Sequence, residues 1–332
     1  MPIEKDELSV NAMGGTEQMK YGLAEMLGEE FLQDFQIIPS RVRDLDEDKI
    51  RILWCHDLPE DGENRHLTNG GWAKFHKIVF VSNWQAQRYI ERYGIPWSKT
   101  VVLLNAIKTI NMEGVEKPTD KINFIYHTTP HRGLNLLIPT FSKLAEEHPD
   151  IHLDVYSSFS IYGWKERDAQ FQQLFDAVEA HPQMTYHGFK PHDEIVEALK
   201  QSHIFAYPDT WQETSCISLI EAMNSKNICI HPNYGALYET AANWTVMYDW
   251  QETQLDHLNR FYGVVKSVLE AFKANREVLT GKVNGQKAYT DMVYSWEYRK
   301  EQWKSLLESL RDQPRGIKEL IGEQNFNVNT PG

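Results

Sequence analysis

The sequence predicts an α/β protein made of two doubly wound, Rossmann-like domains. Two observations carry that expectation. Short runs rich in apolar and β-branched residues alternate with helical runs along most of the chain, the pattern of open, mostly parallel sheets. The alternation weakens once, over residues 108–121, where polar sequence with Gly114 and Pro118 intervenes. At 332 residues the chain is long enough for two cores of ordinary size.

The chain opens polar and reaches the pair Gly14-Gly15, followed by Thr16 and Glu17. That order predicts a tight turn opening a helix over 18–27. Strand-like runs follow at 35–38, 50–55, 78–81 and 101–104, with an amphipathic helix near 84–93 between the last two. Beyond the interruption at 108–121 a second series begins. Its strands are expected at 122–126, 151–156, 184–187, 204–207, 228–231 and 246–248. Helices fit between them at about 133–147, 165–180, 192–201 and 215–224, and later ones at 251–277 and 296–311. The tail from Asp312, with Pro314, Gly316, Pro331 and Gly332, reads as loosely ordered. Two such domains in tandem would place a cleft at the carboxyl ends of their strands, where open α/β sheets bind ligands.

Composition narrows the function. Net charge is −13, from 34 basic and 47 acidic residues, so the broad positive field of a nucleic-acid binder is lacking. Cys55, Cys216 and Cys229 form no CxxC pair, which argues against a disulfide framework or a zinc site. No apolar run approaches membrane-spanning length and the N-terminus has no signal core, so a reducing cytoplasm is the expected compartment. Neither G-x-G-x-x-G nor G-x-x-x-x-G-K-[ST] occurs, which disfavours dinucleotide oxidoreductases and P-loop enzymes. The acidic run Asp44 to Asp48 reads as a solvated turn rather than a metal site.

Residues 208–223 hold the strongest candidates. Glu213 falls in a polar loop and Glu221 inside an apolar run, eight positions on. Thr214 and Ser215 can each cap a helix beginning at Ser215, whose free amides form a phosphate site. Glu221 would then lie about 9 Å along the helix axis, the reach from a diphosphate to a ribose. The plainer reading is a capped core helix with two unrelated glutamates, but a glutamate between Ile220 and Ala222 requires a partner. In 126–137 a strand leads through Thr128, Thr129 and Arg132 into a helix near Gly133. Arg132 can grip phosphate oxygens bidentately with the two threonine hydroxyls as further donors, or simply be solvated. His56 stands where a strand leaves the sheet, able to polarise a phosphate or touch a sugar hydroxyl, with Asp57 fixing its tautomer. Gly14 and Gly15 can let backbone approach a diphosphate closely, or merely turn the chain.

In this frame the sequence resembles family 4 glycosyltransferases of the GT-B fold, in which two Rossmann-like domains face each other across a cleft. The resemblance is densest over 122–239, with thinner matches back to Gly14 and forward to Trp296. Its most specific piece is Glu213-x7-Glu221, set in Pro208…Glu213-Thr-Ser-Cys…Glu221-Ala-Met223 and followed by Gly235-Ala-Leu-Tyr-Glu239. The resemblance implies a nucleotide-sugar donor as substrate, most readily UDP- or GDP-linked, with no cofactor and no metal. It implies that Glu213 bonds hydroxyls of the donor sugar and Glu221 the ribose, while the amides of Thr214, Ser215 and Cys216 hold the diphosphate. Arg132 matches the basic residue that neutralises the leaving group, and Gly14-Gly15 matches the glycine loop near the same phosphates. His56 matches a histidine that approaches the sugar, and Gly188-Phe189-Lys190 falls where the base-contacting loop lies. The domains implied are 1–108, a reduced N-terminal acceptor domain, and 109–294, the donor-binding domain. A helix at 295–312 would cross back to the first domain, leaving 313–332 as the tail.

Three features depart from the family's pattern. His127 stands where an arginine is frequent, Asn105-Ala-Ile107 replaces an Asn-Gly turn, and the first domain is short. The function implied is retaining, metal-independent glycosyl transfer to an acceptor hydroxyl on a glycan, a lipid-linked sugar or another molecule. The rivals are a sugar-nucleotide epimerase on the same fold and a non-catalytic sugar- or nucleotide-binding module.

Overall fold

A computed structural model describes residues 14–328. Of these, 14–106 and 296–328 belong to one unit and 107–295 to a second. The first unit opens with helix α1 (Gly15–Leu27) and a single turn α2 (Glu29–Leu32). Four strands follow, β1 (Phe35–Pro39), β2 (Ile50–Cys55), β3 (Lys77–Phe80) and β4 (Thr100–Val102), with α3 (Asn83–Tyr93) leading to the last. They form one parallel sheet in the order β1-β2-β3-β4. Every residue of β1 and β2 is buried, as expected of parallel strands covered on both faces. The first helix begins three residues earlier than its apolar spacing suggests, with Gly14 at its N-cap and Gly15 as its first residue. Residues 11–13, which lead into the expected glycine turn, lie outside the described residues.

The second unit carries β5 (Ile122–Tyr126), α4 (Leu134–Glu147), β6 (Ile151–Val155), α5 (Gln172–Ala180), β7 (Met184–Tyr186) and α6 (His192–Gln201). It continues with β8 (Ile204–Ala206), α7 (Ile217–Asn224), β9 (Ile228–Pro232), α8 (Leu237–Ala241), β10 (Val246–Tyr248), α9 (Gln254–Ala274) and α10 (Thr280–Val293). Six parallel strands take the order β10-β9-β8-β5-β6-β7. The chain therefore winds outward from β5 to β7 and then returns to β8 and winds the other way. That reversal places a topological switch point between β5 and β8, where an open α/β sheet leaves a crevice at its carboxyl edge.

Helix α10 was not among the expected elements. Its buried positions include the polar residues Gln286 and Thr290, which bond Asn227 O at 2.7 Å and Asn224 Nδ2 at 2.8 Å. An apolar stripe, the usual mark of a packed helix, is therefore weak there.

The chain then rejoins the first unit through α11 (Trp296–Leu310) and α12 (Ile317–Val328). Trp296 packs against Gly22 of α1, where any Cβ would collide with the indole. The loose tail expected from Asp312 is corrected by the structure over this segment. The fully buried Arg51 guanidinium donates to the carbonyls of Asp46, Lys49 and Arg315, and His76 Nε2 lies 2.9 Å from Pro314 O. Arg311 and Arg315 both bond Asp34, each at 3.0 Å. Backbone carbonyls anchored to buried donors hold 311–315 in place, and α12 follows with Leu320 buried. The last part of the expected tail, 329–332, lies outside the described residues.

Candidate active site

Two loops flank the switch point of the second unit, residues 127–133 after β5 and 207–216 after β8. Close packing joins them at Gly133, the N-cap of α4, which has φ of 102°. A side chain there would strike the carbonyl of Pro208, so only glycine permits both the left-handed backbone and the approach. Tyr126 adds a bond from its hydroxyl to Thr129 O at 2.9 Å, which shapes the first loop from below.

Arg132 from the first loop, partly buried, and Glu213 from the second, buried, form an ion pair between Nη1 and Oε1. Tyr207 donates its hydroxyl to the same Glu213 oxygen at 2.6 Å. A third support comes from the backbone. Ala236 N donates to Glu213 O at 2.7 Å, and Gly235, at φ 62°, lies so close that a Cβ would meet the Glu213 backbone. Burial by itself would lower the Arg132 pKa, but the attraction of its acidic neighbours, Glu213 foremost, outweighs it and holds the guanidinium firmly ionised. Its Nε is buried with no hydrogen-bond partner among the described residues.

Asp209 is a participant that the motif did not reveal. It is fully buried, its Oδ1 accepts from Trp211 N at 2.9 Å, and its Oδ2 has no partner among the described residues. Burial, then the neighbouring Glu213 charge, push this carboxyl well above the ordinary range, with Arg132 opposing. The Asp209 carboxyl thus favours its neutral form, while Glu213 is the partner of Arg132. The signal was present in Tyr207-Pro208-Asp209 directly after a strand, but an acid at that place has no spacing rule of its own.

Helix α7 starts at Ile217, not at Ser215. Cys216 takes the N-cap position with extended backbone (φ −159°, ψ 98°), and its side chain makes no capping hydrogen bond. The expectation that Thr214 or Ser215 caps this helix is therefore corrected: both precede it, and the polar loop runs two residues further than the apolar pattern implied. The amides of 214–216 consequently belong to the loop entering the helix rather than to its first turn. Cys216 is buried and free, its thiol pushed up by burial and by Glu213.

Farther along α7, Glu221 is buried, and its Oε1 lies 2.6 Å from His192 Nε2 at the start of α6. The hydrogen bond to Glu221 raises the His192 pKa against the opposing effect of burial. His192 is the second residue missed from the sequence, although it stands only two positions beyond Lys190. Phe189 itself is exposed, and Lys190 pairs with Glu194 at 3.3 Å.

His127 is buried with its ring tilted on Phe205, and burial lowers its pKa to about 4. It is neutral, so Arg132 is the charged side chain of the 127–133 loop. Thr129 is buried with its hydroxyl unpartnered among the described residues, while Thr128 is half-buried. The structure thus brings Arg132, Thr128, Thr129, Glu213, Thr214, Ser215, Cys216 and Glu221 to the carboxyl edge of one sheet.

Gly14, Gly15 and His56 belong to the first unit. His56 follows β2, its amide bonded to Ser40 Oγ at 2.9 Å and its ring 4.7 Å from that of Trp54. Burial lowers the His56 pKa to about 3, so the ring is neutral. Asp57 O accepts from Gln85 Nε2 at 2.8 Å and from the Tyr89 hydroxyl at 3.1 Å, which orders the loop behind it. Among the described residues no group of three or more His, Cys, Asp or Glu could hold a metal ion, and no helix is long and apolar enough to cross a membrane.

Residues 108–254 match the model of the family described as glycosyl transferases group 1. Arg132, Glu213 and Glu221 all fall inside that segment, which spans less than half of the 332 residues. No curated protein gives a significant match to the chain. Among solved structures the chain is similar to a glycosyltransferase from Rickettsia africae, at 13% identity and a TM-score of 0.67, covering 91% of this chain and 82% of that one. It is also similar to the pneumococcal O-GlcNAc transferase GtfA, solved with UDP and GlcNAc, at 10% identity and a TM-score of 0.63, covering 89% of this chain and 61% of that one. A third likeness is to Anabaena HepE in complex with UDP-glucose, at 14% identity and a TM-score of 0.57, covering 88% of this chain and 77% of that one. These likenesses establish the fold as the α/β, parallel-sheet GT-B type.

Proposed function

We propose that this chain is a glycosyltransferase that moves a sugar from a nucleotide-sugar donor, UDP- or GDP-linked, to an acceptor hydroxyl with retention and without a metal. One observation carries the reading. At the switch point of the second unit, a partly buried, ionised Arg132 and its buried partner Glu213 stand before a helix whose N-cap side chain makes no capping hydrogen bond. This is a compact anion and hydroxyl site, and the group 1 match over 108–254 covers all of it.

In this reading the donor diphosphate takes hydrogen bonds from Arg132, from the amides of Thr214, Ser215 and Cys216, and from the hydroxyls of Thr128 and Thr129. Preorganised donors aimed at developing charge are the main catalytic term for a departing diphosphate. Glu213, held by Tyr207 and by the Gly235-Ala236 backbone, accepts from hydroxyls of the donor sugar. Glu221 takes the ribose hydroxyls with its carboxylate oriented by His192, and Phe189 and Lys190 lie against the base. The roles of Gly14, Gly15 and His56 in the first unit rest on the resemblance alone: bare backbone near the phosphates, and a neutral ring toward the sugar.

The acceptor oxygen attacks the anomeric carbon from the face that the leaving group departs. The new C–O bond forms as the sugar–phosphate bond breaks, and the acceptor proton passes to the departing β-phosphate. No side chain needs to become covalently attached. Arg132 and the amides supply the positive character that a divalent cation would otherwise provide. A screen of UDP-, GDP- and ADP-sugars by thermal shift and by donor hydrolysis, with and without chelator, tests this. Stabilisation and slow hydrolysis with one base, unaffected by chelator, are expected; no response to any donor would overturn the reading.

A further inference from the structure

A group of aromatic side chains beside Arg132 has no part in the donor scheme above. His131, the residue before Arg132, stacks on Phe159 with centroids 5.3 Å apart and planes at 19°. Trp211, two residues before Glu213, meets the same imidazole edge to face at 5.2 Å and 85°. The indole is 45% exposed, unusually open for a tryptophan fixed by its loop. Tyr162, which follows Phe159 in the same short turn, stands 5.5 Å from Trp164 and is near enough to Arg132 to act on its charge. The Trp164 ring is in turn covered by the Arg167 guanidinium at 4.0 Å.

Local bonds hold the group in place. Thr210 Oγ1 donates to His131 O at 2.9 Å, and Trp211 N donates to the buried Asp209 carboxyl at 2.9 Å. The indole is thus presented by a rigid loop. Within the group lies a polar atom without a use: His131 Nδ1 is buried with no hydrogen-bond partner among the described residues. Burial, then the Arg132 charge, lower this histidine's pKa to about 4, so the ring is neutral.

An open aromatic face on the loop that carries Glu213, beside the partly exposed Arg132 side chain, suits a ligand that is apolar on one side and rich in hydroxyls at its rim. A pyranose ring has that character. We propose that Trp211, His131 and Tyr162 form a carbohydrate subsite that stacks a pyranose of the acceptor beside the reacting centre, making the acceptor a glycan. This rests on the proposed function for the word acceptor, but the binding itself does not require that reading. The sugar lies over the indole, which His131 braces edge to face, and Tyr162 borders it on the Arg132 side.

The test uses the full chain, without donor, and records saturation-transfer NMR with methyl glucoside, methyl N-acetylglucosaminide and their trisaccharides. Ring-proton signals are expected for at least one trisaccharide, lost at least fivefold in Trp211→Ala and largely kept in Trp211→Phe, with thermal melting confirming that both variants fold. UDP affinity by calorimetry, run in parallel, should move less than twofold in either variant. Absence of signal from every saccharide, or equal signal in Trp211→Ala, overturns the subsite. Loss of UDP affinity together with saccharide signal overturns it as well, because Trp211 would then belong to the donor. If no nucleotide binds the parent chain while the Trp211-dependent saccharide signal persists, the donor reading fails and the subsite stands.

Discussion

His192 and Glu221, on neighbouring helices and 29 residues apart in sequence, meet through a 2.6 Å contact between Nε2 and Oε1. Only one Glu221 oxygen is used in that contact, and the histidine is half-exposed while the carboxylate is buried. Glu221 is therefore anchored through one oxygen from the open side of the site. A buried carboxylate held through one oxygen by a partially exposed imidazole retains the capacity to accept hydroxyls with its second oxygen.

The first prediction follows from that pair. Glu221→Ala should weaken nucleotide binding by about 10-fold or more, equivalent to about 1.4 kcal/mol. His192→Gln, which keeps a hydrogen-bond donor without the charge, should cost less. Calorimetry with UDP or GDP measures both, and unchanged affinity in Glu221→Ala would remove its ribose role.

Arg132 and Glu213 can be separated into stability and turnover. Arg132→Met leaves Glu213 uncompensated in a buried place and should destabilise by about 3–5 kcal/mol. The double variant Arg132→Met/Glu213→Leu should recover most of that loss, since an apolar pair of similar size is often as stable as a buried ion pair. Donor turnover should fall on the order of 10²–10³-fold in Arg132→Met and stay low in the double variant. Recovery of turnover along with the melting temperature would show that the pair is structural only. Glu213→Gln should lower turnover of the donor sugar more than affinity for free nucleotide.

Asp209 predicts an unusual stabilising substitution. Its carboxyl is held neutral, with burial first and Glu213 second, so its folded pKa lies above the unfolded value of 3.8. The folded state then binds a proton that the unfolded state releases, and stability declines as pH rises above that unfolded value. Asp209→Asn has no proton to lose. Its melting temperature should exceed that of the parent at pH 7–8, with the difference shrinking toward pH 4. A difference that grows toward low pH would contradict a neutral Asp209.

The buried histidines act in the other direction. His56, at about 3, and His127, His131 and His231, at about 4, are all lowered chiefly by burial from an ordinary value of 6.5. Below pH 6.5 the unfolded chain takes up protons that the folded chain refuses, so stability should fall as pH drops from about 6.5 to about 4. His192, whose pKa is raised, contributes the opposite sign: its share is present below 6.5 and is lost as pH rises through its folded value. Melting curves from pH 4 to 8 check the balance. The buried histidines outnumber His192, so a net acid lability is expected, and His231→Asn should flatten it measurably.

Much of the fold could be read in the sequence because parallel strands are continuous apolar runs and their helices carry apolar stripes. All ten strands of the two sheets fall within a residue or two of the expected runs. Two of the misses share one cause. Helix α10 buries Gln286 and Thr290 rather than an apolar stripe, and the 311–315 segment is ordered by Arg51, His76 and Asp34 from more than two hundred residues away. Elements held by distant polar partners leave no periodicity in their own residues.

The same division applies to the site. By itself the sequence determined the residue types and spacing of Glu213 and Glu221, the glycines at 133 and 235 that let loops touch, and Arg132 at the mouth of a helix. Local chemistry sufficed for these, since each depends on a few neighbouring positions. Tertiary structure alone decided that Arg132 pairs with Glu213, that Tyr207 shares its oxygen, that Asp209 stays neutral beside them, and that His192 holds Glu221. Ionisation and pairing depend on what burial brings within a few ångströms, and in this sheet that is set by the return of the chain from β7 to β8, beside β5.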